Sequence, residues 1–278
     1  MAAFLCVFPL RARQASAIRL STDRGSYDMQ DKFALVTGAG SGIGHAVATA
    51  LVHAGWHTVF TGRRQEKLDE AVAAIADAPA RGLAISCDVS RAEQVEKLFE
   101  RIEEEFGRLD LLFNTAGMGY KSTPIDEIPV EVWHDVVDVN LTGSFLCARS
   151  AFGLMRRQSP MGGRIINNGS ISALAPRPGS VPYTATKHAI TGLTKTLALD
   201  GRPFDIACGQ IDIGNAFTEM AAPMAQGVPQ ANGEIAPEAV MDVGHVADAV
   251  LHMASLPLEA NVLFMNVMAT KMPFVGRG

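Results

Sequence analysis

The chain has 278 residues, 48% of them hydrophobic, and a formal net charge of -5 at pH 7. This length predicts one large α/β domain or two small ones, with ample apolar sequence for a core. Beyond residue 28 no basic cluster indicates a nucleic-acid surface, and no apolar run approaches the ~20 residues of a membrane span. The four cysteines lie far apart without metal-binding spacing, so we expect reduced thiols, no metal site and a cytoplasmic protein.

The first 28 residues differ from the rest of the chain. They contain four arginines and no acidic residue before Asp23, a composition loosely similar to an organelle transit peptide. The patterned sequence begins directly after Met29. We therefore predict that residues 1–28 are a disordered extension or precede the natural start, in preference to a targeting segment, and that residues 29–278 form the catalytic domain.

The first patterned segment predicts a phosphate-binding turn. Phe33–Val36 is a short strand-forming run, and an apolar helical pattern follows a glycine-rich turn through Leu51. A strand, a glycine turn and a helix in this order hold a pyrophosphate against helix N–H groups, and glycine lets the backbone approach the phosphates. The predicted cofactor-binding residues of this turn are Thr37, Gly38, Gly40, Ser41, Gly42, Ile43 and Gly44.

Two arginines follow the second predicted strand, which covers residues 57–61. At this distance from the glycine turn, an NAD-selective site usually carries a carboxylate for the ribose hydroxyls, and this sequence has none there. Arg63 and Arg64 suit a 2′-phosphate instead, so NADP(H) is expected in preference to NAD(H). The alternative is that both arginines are ordinary solvated residues at a helix start.

The next segments alternate between helix and strand patterns. Residues 65–76 and 92–106 have helical patterns, 83–87 and 109–113 have strand patterns, and 130–157 predict a long helix with an internal interruption. Near-continuous apolar strands in a βα alternation predict a doubly wound parallel sheet with helices on both faces. The turns after the third and fourth strands supply further candidate cofactor contacts, namely Asp88, Val89, Asn114, Ala116 and Gly117.

A candidate reactive group of side chains lies between residues 170 and 187. Ser170 ends an apolar run that predicts a buried strand, so its hydroxyl would lie at a carboxyl end, where open α/β sheets bind ligands. Tyr183 and Lys187 are four residues apart on a predicted helix and would stack on one face, although isolated pairs of this kind are common on solvated helices. A phenol with a reference pKa of ~10 needs roughly 4 kcal/mol of preferential anion stabilisation to reach ~7, and the lysine supplies a suitable charge.

Together these motifs resemble the short-chain dehydrogenase/reductase superfamily. The order and spacing match over about residues 31–256, through T-G-x-x-x-G-I-G at 37–44, N-T-A-G at 114–117, Asn140, Ser170 and Tyr183-x-x-x-Lys187. The resemblance implies a single Rossmann-like domain with about seven parallel strands, a homodimer or homotetramer, and hydride exchange between a nicotinamide and a small-molecule carbonyl/alcohol pair.

The resemblance also implies a role for each matching side chain. Tyr183 would be the acid–base group, and Lys187 would lower the pKa of that phenol and bind the nicotinamide ribose. Ser170 would polarise the substrate oxygen. Asn140 would hold a water molecule of the proton relay.

The sequence departs from the family pattern in three places. Ser41 stands where NADP-preferring relatives often have a basic residue. After the sixth predicted strand, Ile213-Gly214 replaces the usual Pro-Gly, although Gly214 and Thr218 still match cofactor-contacting positions. The tail at 269–278 lacks the usual Asp-Gly-Gly, and we expect it to cross a subunit interface or border the active site.

Residues 218–242 correspond to the substrate lid of this family. Met220 and Met224 would either line a pocket for an apolar substrate or pack on the core. We predict an NADP(H)-preferring oxidoreductase that resembles 3-oxoacyl-thioester reductases or steroid, sugar or small-ketone dehydrogenases. Two alternatives stay open: a non-redox enzyme built on the same site, and a catalytically silent nucleotide-binding protein.

Overall fold

The computed structural model describes residues 31–275, so the predicted extension at 1–28 lies outside the described residues. The strands in this range are β1 (Lys32–Thr37), β2 (Trp56–Gly62), β3 (Gly82–Ser86), β4 (Leu111–Asn114), β5 (Gly163–Asn168), β6 (Ile206–Gly214), β7 (Val228–Pro229), β8 (Ile235–Ala236) and β9 (Phe264–Met268). The α-helices are α1 (Gly42–His53), α2 (Gln65–Ala73), α3 (Ala92–Phe106), α4 (Val130–Val137), α5 (Gly143–Arg157), α6 (Val181–Asp200), α7 (Ala222–Gln226) and α8 (Gly244–Ser255).

Seven of these strands form one sheet in the order β3-β2-β1-β4-β5-β6-β9. Every neighbouring pair in the sheet is parallel. The prediction of a doubly wound, Rossmann-like parallel sheet is therefore confirmed. The strand order reverses between β1 and β4, and ligands of open α/β sheets bind beyond the carboxyl ends of the strands at such a point.

Two apolar layers cover the sheet, one on each face. One layer joins α1 and α8 to the sheet and contains Leu51 and Val250, while the other joins α3 and α5 and contains Ile102 and Met155. Helix α3 shows how the pattern positions a helix, because its four buried side chains recur at three- and four-residue intervals on one stripe. These are Val95, Leu98, Phe99 and Ile102.

The predicted long helix at 130–157 is α4 and α5 joined by a π-helical turn at Asp138–Thr142. Close packing accounts for the glycine that follows this turn. A Cβ on Gly143 would lie 2.7 Å from Val89 Cγ2, so only glycine lets α5 approach the end of β3 so closely. The interruption in the helical pattern therefore marks a packing contact and a wide turn within one continuous helical run.

The chain after β9 returns to the ligand-binding edge of the sheet. Ala269 and Met272 are buried in a small cluster with Ile171, which follows Ser170 directly. The described part of the tail therefore packs against the residue after Ser170, and its two expected places stay predictions. Within residues 31–275, no helix combines the length and apolar character that crossing a bilayer would need.

Candidate active site

A single cavity of about 1100 Å³ lies at the carboxyl ends of the central strands. It brings together most of the predicted site residues, from both the glycine turn and the reactive group. The predicted residues that line it are Gly38, Gly40, Ser41, Gly42, Ile43, Gly44, Arg63, Arg64, Asp88, Val89, Ala116, Gly117, Ser170, Tyr183, Lys187, Gly214 and Thr218.

The glycine turn is shaped by backbone contacts. Gly38 has a φ of +68°, and a Cβ on it would lie 3.0 Å from the Ala116 Cα. A Cβ on Gly44 would lie only 2.4 Å from the Gly38 carbonyl oxygen, so the first turn of α1 packs directly on the loop. Ser41 makes no side-chain cap, and the first turn of α1 has no acidic residue. This helix start is therefore suited to an anion.

Thr37 and Asn114 lie behind the cavity wall, not on it. The Thr37 Oγ1 accepts hydrogen bonds from the backbone N–H groups of Thr115 and Ala116, at 2.9 and 3.0 Å. The Asn114 Nδ2 donates to the Ser144 carbonyl at 3.1 Å and to an amide oxygen on β5 at 3.0 Å. Both side chains are buried and hold the turns after β1 and β4 together, and the predicted cofactor contact of these residues stays a prediction.

Asn140 also lies behind the wall. Its Oδ1 accepts from the Met118 N–H at 2.8 Å, and its Nδ2 donates to the Met118 carbonyl at 2.9 Å and to the Thr186 Oγ1 at 3.3 Å. The amide therefore clamps the turn after β4 to α6, one residue before Lys187. These contacts occupy the side-chain amide, which is a structural role that the sequence did not indicate.

Arg63 and Arg64 extend from the end of β2 and are exposed. Neither forms an ion pair with a carboxylate in residues 31–275. At the end of β3, the Asp88 Oδ1 accepts from the backbone N–H of Ser90 at 3.0 Å and from its hydroxyl at 2.7 Å. These residues give one end of the cavity two solvated cations and one oriented carboxylate.

The reactive side chains meet at the opposite end of the cavity. Helix α6 begins at Val181 with a proline in its first turn, and it places Tyr183 and Lys187 on one face. The Tyr183 phenol hydrogen-bonds to the Ser170 side chain. The Lys187 Nζ donates to the Asn168 carbonyl at 2.7 Å and lies 5.5 Å from the centroid of the Tyr183 ring.

The pKa of the phenol departs from the expected direction. Burial raises the pKa of Tyr183 and outweighs the Ser170 hydrogen bond and the Arg177 charge, which both lower it. Burial also lowers the pKa of Lys187 to about 8, while the Asp212 carboxylate acts in the opposite direction. The expected lowering of the phenol pKa is therefore not found in this structure, because desolvation is the largest effect on Tyr183.

Sequence reasoning missed an ion pair at the lid. Arg177 lines the cavity and pairs through two nitrogens with Glu238, whose side chain is fully buried. Glu238 also accepts from the Asn215 Nδ2 at 2.7 Å and the Gln230 Nε2 at 3.0 Å. Burial raises the pKa of Glu238, but these hydrogen bonds and the guanidinium charge outweigh it and lower the pKa to about 2. The partners are 61 residues apart, so no local pattern could reveal them.

A buried carboxylate beside the reactive group was also missed. The Asp212 Oδ1 accepts from the Ser170 N–H at 2.9 Å and from the Gln210 Nε2 at 2.7 Å. Its only sequence signal was an acidic residue inside the apolar pattern of β6, where a solvated carboxylate is not expected.

Comparison with known proteins places the chain in a family. The family model described as short chain dehydrogenase matches residues 32–228, so the chain belongs to the short-chain dehydrogenase family and is an oxidoreductase. A 3beta-hydroxysteroid dehydrogenase of Mediterraneibacter gnavus is 39% identical over 187 residues, which cover 67% of this chain and 66% of that protein. This chain thus spans just under two thirds of that relative's length.

Solved structures of the same family have the same fold. A variant of actinorhodin polyketide ketoreductase with NADPH superposes with a TM-score of 0.78 at 27% identity, covering 86% of this chain and 96% of that one. A 3-ketoacyl-(acyl-carrier-protein) reductase from Brucella melitensis complexed with NADH gives 0.75 at 26% identity, covering 85% and 96%.

Proposed function

We propose that this protein interconverts a carbonyl and a secondary alcohol, with NADP(H) preferred to NAD(H). The main support is a single cavity that joins the glycine turn to the phenol of Tyr183, the hydroxyl of Ser170 and the ammonium of Lys187. Hydride exchange at a carbonyl requires a dinucleotide site and an acid–base group in one cleft.

The glycine end of the cavity fits a nicotinamide dinucleotide. The approaches at Gly38 and Gly44 leave room for backbone alone, and the start of α1 presents N–H groups without an acidic neighbour. Gly42 and Gly117 would hold the same group, and a bound nicotinamide supplies or accepts the hydride. Thr218 would close over the loop, since its Cγ2 lies 3.3 Å from the position of a Cβ on Gly42.

The chain's own residues would handle the proton. In the reduction direction Tyr183 donates its proton to the carbonyl oxygen, while the Ser170 hydroxyl orients that oxygen. Burial raises the pKa of Tyr183, so the phenol holds its proton at neutral pH and is ready to act as the acid. The charges of Lys187 and Arg177 then stabilise the phenolate that is left.

The preference for NADP(H) rests on Arg63 and Arg64. Both are exposed at the end of β2, line the cavity and have no carboxylate partner among the described residues. A guanidinium in this position suits a 2′-phosphate, whereas the ribose of NAD is usually met by a carboxylate. The two solved relatives carry NADPH in one case and NADH in the other, so they do not favour either dinucleotide for this chain.

The lid end of the cavity supports a bulky apolar substrate. Met118, Met220, Met224 and Val228 line this end, and methionine adapts well to varied apolar surfaces. The names of two relatives also support a bulky apolar substrate, since one is a hydroxysteroid dehydrogenase and one is a polyketide ketoreductase. We therefore propose a ring-containing ketone or alcohol as the substrate class.

We further propose that the enzyme is a cytoplasmic homo-oligomer. Val130 and Trp133 on α4 and Phe145 on α5 are exposed apolar side chains on neighbouring helices, as is typical of a subunit interface. The described cysteines Cys87, Cys147 and Cys208 are free and buried, which suits a reducing compartment.

Two measurements test the proposal. NADPH and NADH are titrated against the full chain by fluorescence, and a panel of steroid, polyketide-like, 3-oxoacyl and small ketones is then followed by nicotinamide absorbance. We expect tighter binding of NADPH and turnover of at least one ring-containing ketone. Tyr183→Phe should reduce turnover by at least about 100-fold while leaving NADPH affinity within a few-fold, because the phenol is the acid–base group.

Several outcomes would contradict the proposal. Binding of neither dinucleotide would favour a catalytically silent protein. Turnover with no net change in nicotinamide absorbance would favour a non-redox reaction. Substantial activity in Tyr183→Phe would show that another group carries the proton.

A further inference from the structure

The Asp212 carboxylate lies at the end of β6 and is 3% exposed. No cation in residues 31–275 comes within ion-pair distance of it. A carboxylate without a paired cation is rarely buried, because desolvation disfavours its charged form. The proposed proton transfer makes no direct use of Asp212, so its burial calls for an explanation.

The carboxylate is held in one position by β6 and by the turn after β5. Its Oδ1 accepts from the Ser170 N–H at 2.9 Å and from the Gln210 Nε2 at 2.7 Å. Gln210 is itself fixed to α6, since its Nε2 donates to the Thr191 Oγ1 and its Oε1 accepts from the Thr194 Oγ1, both at 3.1 Å. The side chain therefore connects β6, α6 and the backbone of Ser170.

The backbone opposite Asp212 leaves room for this carboxylate. A Cβ on Gly169 would lie 2.0 Å from the Asp212 Oδ1, so the oxygen occupies the volume that any other side chain at 169 would fill. One residue earlier, the Asn168 carbonyl accepts from the Lys187 Nζ at 2.7 Å. The backbone of Asn168 and Gly169 thus lies between the Asp212 carboxylate and the Lys187 ammonium.

The charged and titratable groups that face Asp212 come from α6. They are Lys187, whose ammonium favours the ionised carboxylate, and Tyr183, whose pKa the carboxylate raises. Arg177, in the segment before α6, lowers the pKa of Tyr183 in turn. Burial raises the pKa of Asp212, while the two donated hydrogen bonds and the Lys187 charge oppose this.

We propose that Asp212 is a positioning residue of the reaction, which fixes Ser170 through its backbone N–H and serves as the buried counter-charge of the Lys187 ammonium. This inference rests on the proposed function, because it assigns Lys187 and Ser170 to the reaction. Burial lowers the pKa of Lys187, and the nearby Asp212 carboxylate opposes this loss of the proton. The ammonium then stays available to stabilise the phenolate.

The test variant removes the charge of the Asp212 side chain and keeps its shape. Asp212→Asn retains an oxygen that accepts from Ser170 and Gln210 but removes the negative charge. We expect both limbs of the pH dependence of kcat/KM for alcohol oxidation to move to lower pH by about one unit, because Tyr183 and Lys187 each lose a proton more easily without a nearby anion. Asp110→Asn is the matched control, since Asp110 pairs with Arg108 near the opposite end of β4. Its two limbs should coincide with those of the wild type.

A merely structural role gives a different result. In that case Asp212→Asn would lower stability or kcat while both limbs stayed in place, which would overturn the proposal. Asp212→Ser, a smaller uncharged variant, is measured in the same way if the Asn variant does not fold by circular dichroism. A limb shift in either folded variant supports the proposal.

A second measurement separates this inference from the proposed function. Phenolate absorbance is titrated in the wild type and in Asp212→Asn, and the signal of Tyr183 is identified by its loss in Tyr183→Phe. We expect a lower phenol pKa in Asp212→Asn, and an unchanged pKa would overturn the inference whether or not the enzyme turns over. Absence of turnover in the wild type would contradict the proposed function and leave the phenol titration as the test of the inference.

Discussion

The glycine end of the cavity and its lid end are built from different groups. At the glycine end, backbone atoms meet backbone atoms, and the decisive contact joins the position of a Gly44 Cβ to the Gly38 carbonyl at 2.4 Å. At the lid end, charged side chains from distant segments meet, as Arg177 does with Glu238. Tight backbone packing depends on adjacent residues, whereas a buried ion pair depends on the complete fold. The two ends should therefore respond differently to substitution, pH and salt.

The largest expected effect is at the glycine end. Gly44→Ala should reduce dinucleotide affinity at least 100-fold, because its Cβ would displace the backbone that the phosphates approach. Gly192→Ala is the matched control, since it also lies in a helix and a Cβ there meets nothing within 4 Å. The control should bind normally and be more stable by about 0.5–1 kcal/mol. Normal NADPH binding by Gly44→Ala in a fluorescence titration would refute the backbone account.

At the lid end the expected effect is on stability. Glu238→Ala should lower the free energy of unfolding by about 3 kcal/mol, because it removes the buried partner of the part-buried Arg177 and leaves that guanidinium without its counter-charge. Urea unfolding measures this loss. Glu104→Ala removes an exposed pair with Arg101 and should cost less than about 1 kcal/mol. Equal losses in the two variants would show that burial adds nothing to the Arg177 pair.

The same carboxylate should give the lid end a pH dependence. The pKa of Glu238 is lowered from 4.5 to about 2 on folding, so its contribution is fully present above pH 4.5 and is lost as the pH falls towards 2. The loss amounts to about 3 kcal/mol. Unfolding free energies of the wild type and Glu238→Gln, measured across this range, should converge as the pH falls. Parallel curves would contradict the assignment of the low pKa to Glu238.

The smallest expected effect concerns the exposed arginines. Arg63→Ala combined with Arg64→Ala should weaken NADPH by about 10- to 100-fold and leave NADH within about 3-fold, because only NADPH carries the 2′-phosphate. Arg202→Ala removes an exposed arginine that does not line the cavity and should change neither affinity. An equal loss for both dinucleotides would mean that these side chains do not select the cofactor.

The same contrast explains what the sequence could predict. The sheet and the glycine turn follow from local patterns, and the family match confirms the resemblance. Ser170, Tyr183 and Lys187 also come together as expected, because helix spacing and a strand end determine their places. The alternation of apolar residues does not say which polar side chain faces inward. The buried side chains of Thr37 and Asn114 behind the cavity wall are an example.

The remaining side chains depend on long-range contacts. Arg177 and Glu238 lie in segments without regular periodicity, and nothing within either segment indicates a partner. Asp212 is the one charged residue of β6, and its role depends on the turn after β5, where Gly169 and the Ser170 N–H lie against its carboxylate. The direction of the Tyr183 pKa was missed for the same reason, since burial is a property of the folded chain.

The contact between Gly169 and Asp212 determines the order in which these two positions can be substituted during evolution. A side chain at 169 cannot enter while the carboxylate fills its volume, so position 212 has to shorten first. In the reverse order, a side chain at 169 would clash with the carboxylate next to Ser170. We therefore expect saturation mutagenesis at 169 to recover glycine alone in the native background and several small residues once 210 and 212 are both alanine, because the Gln210 Nε2 would also lie 2.7 Å from a Cβ at 169. A relative that lost the carboxylate could regain it only while position 169 was still glycine.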